Sequence, residues 1–382
     1  MNPKRSLSSL TRRDFLKALL TGGALVTASA AGGASLVKAA EGNGTWKNLL
    51  GPQPQDGPEG HEHGGSDQHH AMGAVGQVSP ESAGVDPTLY LQDFDFGQVS
   101  QLANGQTLRE YKIVAIDREI EVAPGVFFPA WTYNGRVPGP TLRCTEGDRI
   151  RIDFFNGGSH PHTIHFHGIH SAAMDGVPGA GAGIIYPGSS TIYEFDAAPF
   201  GCHHYHCHAL PLKRHIHKGL YGAFIIDPDP EKYSGRERDI ARTRNPAYPE
   251  YAGVNEMVMM MNAFDTNFDG ENEVYAVNSL AFAYMDRPIP VRRDQLQRLY
   301  LINITEFDPI NSMHLHANFF DYYDHGTTLE PTLKTVDTIM QCQAQRGILE
   351  FSFEGFEPGP YMFHAHQTEF VELGWMGFFD VQ

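Results

Sequence analysis

The tripeptide His206-Cys207-His208 constrains this chain more than any other feature. Successive side chains of a β-strand point to opposite faces. On a strand, then, the two imidazoles face one way and the thiol the other. One short segment can serve two metal sites with only a few bonds between them. Three further His-x-His pairs occur: His165/His167, His314/His316 and His364/His366. Each places two imidazoles on one strand face. A lone strand histidine is usually a satisfied core or surface residue. Four pairs in step with an internal duplication are not explained that way, and eight imidazoles suffice for a multinuclear metal cluster.

At 382 residues the chain is long enough for two domains with proper cores. Acidic residues outnumber basic ones, 45 to 28, with no polybasic run, which argues against nucleic acid as a partner. Residues 1–40 are expected to be a targeting segment. Thr11-Arg12-Arg13-Asp14-Phe15-Leu16-Lys17 is a twin-arginine signal, the run from Ala18 to Val37 is mildly apolar, and Val37-Lys38-Ala39 offers a cleavage site. That run is too interrupted for a good spanning helix, so export to the periplasm or beyond is expected, without membrane insertion. Residues 41–84, rich in Gly, Pro and His (His61, His63, His69, His70), read as a flexible linker rather than a metal-collecting tail.

From residue 85 the pattern is all-β. Asp148 to Phe154 alternates charged and apolar residues as a half-buried strand does, and no stretch shows a helical period of useful length. The chain also repeats itself. A strand (148–156), a His-x-His pair, a long excursion, a second pair and a closing strand (221–226) recur as 295–304, His314/His316, an excursion, His364/His366 and 376–381. Two Greek-key β-sandwich domains follow, over 85–230 and 251–382, joined by the Asp- and Pro-rich segment 231–250. Asp265-Thr266-Asn267-Phe268-Asp269-Gly270 opens like a calcium loop, but Ala276 stands where the twelfth-position Glu belongs, so a hairpin connection is expected. Met257, Met259, Met260 and Met261 read as core of an apolar strand. With Cys207 reserved for a metal, three cysteines remain. Cys144 and Cys202 begin strands expected to be neighbours, so a Cys144–Cys202 bridge is expected.

From residue 85 onward the chain resembles the multicopper oxidases. The residues that carry the likeness are His160-Pro161-His162-Thr163-Ile164-His165-Phe166-His167-Gly168, Tyr205-His206-Cys207-His208, and His215 with Gly219-Leu220. The resemblance implies two cupredoxin-like domains and four coppers per chain: one type 1, one type 2 and two type 3. It assigns His162, Cys207 and His215 to type 1, with His160 and His217 as near misses. Leu220 takes the axial place, and a non-coordinating axial residue implies a high potential. His165 and His314 would hold type 2; His167, His206, His208, His316, His364 and His366 would hold the type 3 pair. In the second half Asn311 stands in the place of His162 and Ala365 in that of Cys207, so one type 1 site per chain is implied. Asp175 matches the family's acidic residue near the cluster. Glu369 and Glu372 follow the last pair as further acid candidates.

These readings imply a laccase-like oxidase. It takes single electrons from a small reductant (phenols, aromatic amines or low-valent metal ions) and passes four to dioxygen. They also imply a homotrimer with clusters between subunits, as in two-domain relatives. A copper nitrite reductase shares the two-domain plan but lacks several of these histidines, often with Asp in the place of His165. An electron carrier needs only the type 1 set.

Overall fold

The computed structural model describes residues 77–382. The twin-arginine segment and the linker up to residue 76 lie outside the described residues. Among the described residues no helix is long and apolar enough to cross a membrane.

The first domain contributes β1 (Phe94–Asp95), β2 (Gln98–Gln101), β3 (Thr107–Ala123), β4 (Val126–Tyr133), β5 (Thr141–Thr145), β6 (Arg149–Asn156), β7 (His165–Phe166), β8 (Ser190–Asp196), β9 (Gly201–His206) and β10 (Tyr221–Asp227). The second contributes β11 (Val254–Phe264), β12 (Val274–Val277), β13 (Ile289–Val291), β14 (Leu296–Asn303), β15 (Ile310–Leu315), β16 (Phe320–Asp324), β17 (Leu333–Val336), β18 (Thr338–Cys342), β19 (Arg346–Phe351), β20 (Gly359–His364) and β21 (Met376–Val381). The first domain stacks the sheet β1-β5-β10-β9-β7 on β2-β3-β6-β8, with β4 paired to β3. The second stacks β12-β11-β14-β19-β16-β17 on β13-β21-β20-β15-β18. Each is a two-sheet sandwich around its own apolar core.

The duplication extends to strand register. His165 pairs with His206 across β7 and β9, and His314 pairs with His364 across β15 and β20. In both domains the second histidine strand then pairs with its closing strand, His206 opposite Tyr221 and His364 opposite Met376. Because side chains repeat every two residues, this shared register puts all four pairs on equivalent faces.

Between the domains lies a third apolar cluster. Ile120, Phe128, Tyr221 and Ile225 of the first domain meet Val258, Met260, Phe264 and Ile302 of the second. The methionine run explains itself here. Met257, Met259 and Met261 face the second core, while Val258 and Met260 face the domain interface. A strand buried on both faces reads as one continuous apolar run.

A buried ion network crosses the same interface. Arg143 of β5 grips Asp227 at the end of β10 through two contacts of 2.9 Å and also reaches Glu256 of β11. Glu256 pairs with Arg298 of β14 at 3.1 Å, and Arg298 with Glu350 of β19 at 2.7 Å. Arg244, from the join, sits 3.4 Å from Glu350. Tyr251 and Tyr300 donate to Glu256 at 2.6 and 2.8 Å, and Tyr323 to Glu350 at 2.8 Å. Three arginines thus balance three carboxylates, which a low-dielectric site requires. Burial alone would raise the Glu256 carboxyl, but Arg143 and Arg298 outweigh it and hold it near 2.

Several sequence expectations change. The linker ends before residue 84. Ser79 accepts from the Ser82 amide to cap α1 (Pro80–Ala83), and Val78 and Ala83 are buried. After α2 (Pro87–Tyr90), Leu91 packs in the second domain's core and its carbonyl accepts from Val258, so residues ahead of the first sandwich strap the second. The 231–250 join holds a helix, Gly235–Arg242, which the polar sequence concealed. All four cysteines are free. Cys144 and Cys202 are not on neighbouring strands, because β10 lies between β5 and β9. They also face different cores. The loop from Asp265 connects the antiparallel pair β11 and β12, and its Asp265 carboxylate accepts from the loop's own Asp269 and Gly270 amides.

The network should dominate domain docking. Glu256→Gln keeps the shape but removes the carboxylate that touches both Arg143 and Arg298. Leaving buried charge unpaired should cost about 3–5 kcal/mol in urea unfolding. Arg292→Gln, which breaks only an exposed pair with Asp294, should leave the midpoint unchanged.

Candidate metal centres

Strand β9 and its continuation divide the site chemistry by parity. Tyr205 and Cys207 face the first domain's core, while His204, His206 and His208 form a ladder on the other face, with ring centroids 5.9 and 5.8 Å apart.

On the core side the structure brings together His162, Cys207 and His215. His215 lies on a one-and-a-half-turn helix, Leu212–His217, that packs back over the sheet. The two Nδ1 atoms are 3.3 Å apart, and Cys207 Sγ lies 3.2 Å from His215 Nδ1 and 4.0 Å from His162 Nδ1. Three donors around one ion at ordinary bond lengths sit roughly 3.6 Å apart. The buried Nε2 of His162 has no partner. A buried N2S triangle of this size fits copper. Burial pushes the Cys207 thiol up to about 11, so a cation in the pocket is what would make it a thiolate. Leu220 is fully buried and its carbonyl accepts from the Cys207 amide at 3.0 Å. His160 and His217 stand outside the triangle. His160 lies against Trp131 with ring centroids 4.5 Å apart, and His217 Nε2 accepts from the Asp265 amide.

On the other face, His167 and His206 bring their Nε2 atoms to 2.8 Å. His165 and His208 complete the group, with ring centroids 5.2 Å apart. His206 Nδ1 donates to the Cys207 carbonyl, which turns its Nε2 toward the group. His165 Nδ1 lies 2.8 Å from the Asp175 carbonyl and 3.0 Å from its carboxylate. Gly176 makes that turn possible. Its φ is +67°, and a Cβ there would sit 1.9 Å from the Ile164 carbonyl oxygen.

The second domain repeats this arrangement. His316 and His364 bring Nε2 atoms to 2.8 Å, His364 Nδ1 donates to the Ala365 carbonyl, and His314 Nδ1 meets the Asp337 carbonyl and Thr338 hydroxyl at 2.9 Å. His366 lies beside His314. Here the group is open: His316 and His366 are exposed. Among the described residues no ring of one group touches a ring of the other.

The second domain's counterpart of the N2S pocket is filled. Cys207 bonds Leu220 and Leu220 bonds His215 through the backbone. Ala365 bonds Trp375 and Trp375 bonds Phe370 in the same way. His162, Cys207, His215 and Leu220 therefore correspond to Asn311, Ala365, Phe370 and Trp375. The Trp375 indole is fully buried, and its Nε1–H donates to Asn311 Oδ1 at 3.1 Å. This places Glu369 on the helix equivalent to that of His215, on the filled-pocket side and exposed. Among the described residues neither Glu369 nor Glu372 has a hydrogen bond or ion pair with any histidine of this chain.

Two histidines escaped the sequence reading. His170 sits 3.6 Å from Asp175 and 5.4 Å, ring to ring, from His165. His204 stacks on His167 at 4.0 Å, and neither of its ring nitrogens has a partner. Its parity with His206 and His208 was the available signal.

Two all-β domains, a buried N2S triangle and two matched imidazole groups define a copper protein of cupredoxin architecture. The chain belongs to the multicopper oxidase family, copper-dependent oxidoreductases: models described as multicopper oxidase match residues 117–231 and 249–382. A crystal structure of a multicopper oxidase is 54% identical, covers 80% of this chain and 100% of its own, and superposes with a TM-score of 0.73. A probable nitrite reductase-hydroxylamine oxidoreductase fusion protein of Kuenenia stuttgartiensis is 30% identical over 69% of this chain and 30% of its own length. Laccase 1 of Metarhizium robertsii is 36% identical over 32% of this chain and 21% of its own. The chain thus spans less than a third of either of these two curated relatives.

The imidazoles give the metal-free protein an acid weakness. Burial is the first cause that lowers His162 and His215 to about 3, His167 to about 2 and His206 to about 4, from an ordinary 6.5; neighbouring imidazoles add to it. As pH falls through 6.5 toward 4, the unfolded chain binds protons that the folded chain refuses, so stability falls. The urea midpoint of chelator-treated protein should drop across that window. The drop should be smaller in His162→Phe/His215→Phe; an equal drop would show that these two groups do not carry it.

Proposed function

We propose that the chain is a laccase-like oxidase of one-electron donors, with dioxygen as acceptor. The observation that carries this reading is the matched pair of four-imidazole groups in one register, with Cys207 between two members of the first. An electron carrier needs the N2S triangle alone. A nitrite reductase, the activity in one relative's name, needs no second full imidazole group; His165 and His208 favour the oxidase.

Bound copper would supply one-electron redox chemistry at the triangle and a site for dioxygen reduction at the imidazoles. One type 1 copper would be held by His162, Cys207 and His215, with Leu220, bonded to Cys207 and His215 through the backbone, beside them. Type 2 falls to His165 and His314, and the type 3 pair to His167, His206, His208, His316, His364 and His366. The chain's own part is positional. Cys207 is bonded directly to His206 and His208, and the His206 Nδ1–H···O=C Cys207 bond adds a second short link between the faces. Asp175 holds the Nδ1 of His165 and leaves Nε2 for metal. Half-exposed, it is also a group able to relay protons, which reduction of dioxygen to water consumes.

Each imidazole group holds half the donors of a shared cluster, and the second group lies open within a single chain. Ile310 and Met340 stand exposed on that side of the second domain, as an interface rim would. We therefore infer a homotrimer in which the first domain of one chain meets the second domain of the next, a heterologous contact that closes into a ring. Export by the twin-arginine route would place it in the periplasm or outside the cell.

Oxygen consumption should match one dioxygen per four donor equivalents without peroxide, and anaerobic nitrite should not replace dioxygen; nitrite turnover would favour the alternative. Asp175→Asn should slow reoxidation by dioxygen about 10–100-fold while donors still bleach the visible thiolate band at the parent rate; equal loss of both would indicate misfolding. For the trimer, inactive His165→Ala chains mixed with inactive His364→Ala chains should regain oxygen consumption. No recovery in mixtures shown to exchange subunits would place each cluster within one chain.

A further inference from the structure

We propose that the surface over the His162/Cys207/His215 triangle selects anionic aromatic electron donors, through Arg214 held above Trp131 and Lys213 beside it on the same short helix. This rests on the reading of that triangle as the electron-accepting site. Trp131 of β4 is 6% exposed, and its ring lies 4.8 Å from that of His215 and 5.3 Å from that of His162. It is the aromatic cover common to both imidazoles. Outside it lie half-buried His160, 4.5 Å away, and the Arg214 guanidinium, 5.6 Å over the indole. Lys213, exposed on the same short helix, rests its ammonium 3.9 Å over the Phe307 ring.

The charge here runs against the rest of the molecule. The chain carries a net −17, yet neither Lys213 nor Arg214 forms an ion pair among the described residues. The acids that feel this rim are Glu306, which senses Lys213 and accepts from Gln343, and Asp117, which senses His160 and is bonded to Ser159. The second domain provides an internal comparison. The helix that matches Leu212–His217 carries Thr368 and Glu369 where this one carries Lys213 and Arg214, and it covers a pocket filled by Trp375. The helix beside the working triangle therefore carries two cations, Arg214 among them over its Trp131 cover, and the helix beside the filled one carries an acid.

A donor bearing a carboxylate, sulfonate or phenolate would be drawn to these cations and presented edge- or face-on to Trp131 and His160. A phenolate would lose one electron to the oxidised site and leave as a neutral phenoxyl radical, with no proton to move. A cationic aromatic amine of the same size would be repelled.

The test compares the parent with Lys213→Glu/Arg214→Glu, and with Lys334→Glu as an exposed control. Two readouts are used. In the copper-loaded, oxygen-free protein, stopped-flow bleaching of the visible thiolate band is timed with 4-hydroxybenzenesulfonate and with N,N,N-trimethyl-4-hydroxyanilinium. The ratio of the two rates cancels any change in the site's potential. It should fall about tenfold or more in the double variant at low salt, stay unchanged in Lys334→Glu, and converge between parent and double variant at high salt, where charges are screened. In metal-free protein, saturation-transfer NMR with redox-inert benzenesulfonate should show binding in the parent, loss in the double variant and loss in Trp131→Ala. An unchanged ratio with intact bleaching overturns the proposal and leaves the oxidase reading standing. Absence of the thiolate band in the parent overturns that reading instead, and the metal-free arm then decides whether the surface binds aromatic anions.

Discussion

The structure depends on ring nitrogens gathered within hydrogen-bonding distance of one another. Nε2 atoms meet at 2.8 Å in both domains, and Nδ1 atoms at 3.3 Å in the triangle. Burial opposes protonation and keeps these imidazoles neutral. Neutral imidazoles gathered in this way present the lone pairs that a cation would take up, as in metal sites coupled to folding. Everything around the contacts serves to hold them: backbone carbonyls at the Nδ1 atoms of His165, His206, His314 and His364, the glycine turn behind Asp175, and strand register that is the same in both domains.

The second constraint is the joint between the sandwiches. An apolar cluster and a neutral set of three arginines and three carboxylates share that interface. The apolar part is indifferent to small rotations, whereas paired buried charges are not, because a misplaced partner leaves a charge without solvation. The segment that contains Leu91 adds a strap from ahead of the first domain to the core of the second. One rigid interface is thereby used within the chain. The imidazole face of the second domain remains free for another.

Much of this was legible in the sequence because β-structure writes itself with a period of two. His206-Cys207-His208 gave the two-faced strand, and the duplicated spacing gave two sandwiches. What stayed hidden required knowledge of which strands are neighbours. The expected Cys144–Cys202 bridge failed because β10 inserts between their strands. Glu369 follows closely on His366 in sequence, and it lies exposed on the short helix Thr368–Glu372 that corresponds to the helix of His215. His204 shares the parity of His206 and His208, but Met362 stands in its place in the second copy, so the duplication did not single it out. Residues 78–84, read as the end of the linker, instead carry the Ser79-capped helix α1, with Val78 and Ala83 buried.

The duplication makes a last point about what the two halves can afford to lose. In the second domain the metal-binding triangle has become Asn311, Ala365 and Phe370, and the fourth position, Trp375, fills the space. The indole N–H is satisfied by Asn311 and its ring is packed against Phe363, so nothing polar is stranded. That replacement is complete and self-consistent, a pocket converted to core. The imidazole group on the other face of the same strands is whole, although two of its four members, His316 and His366, are exposed. A group retained at such a position is explained if its partner lies outside the domain. The two faces of one strand thus differ: the pocket that works alone is filled in one copy, whereas the imidazole group is present in both, as the proposed sharing between chains would require.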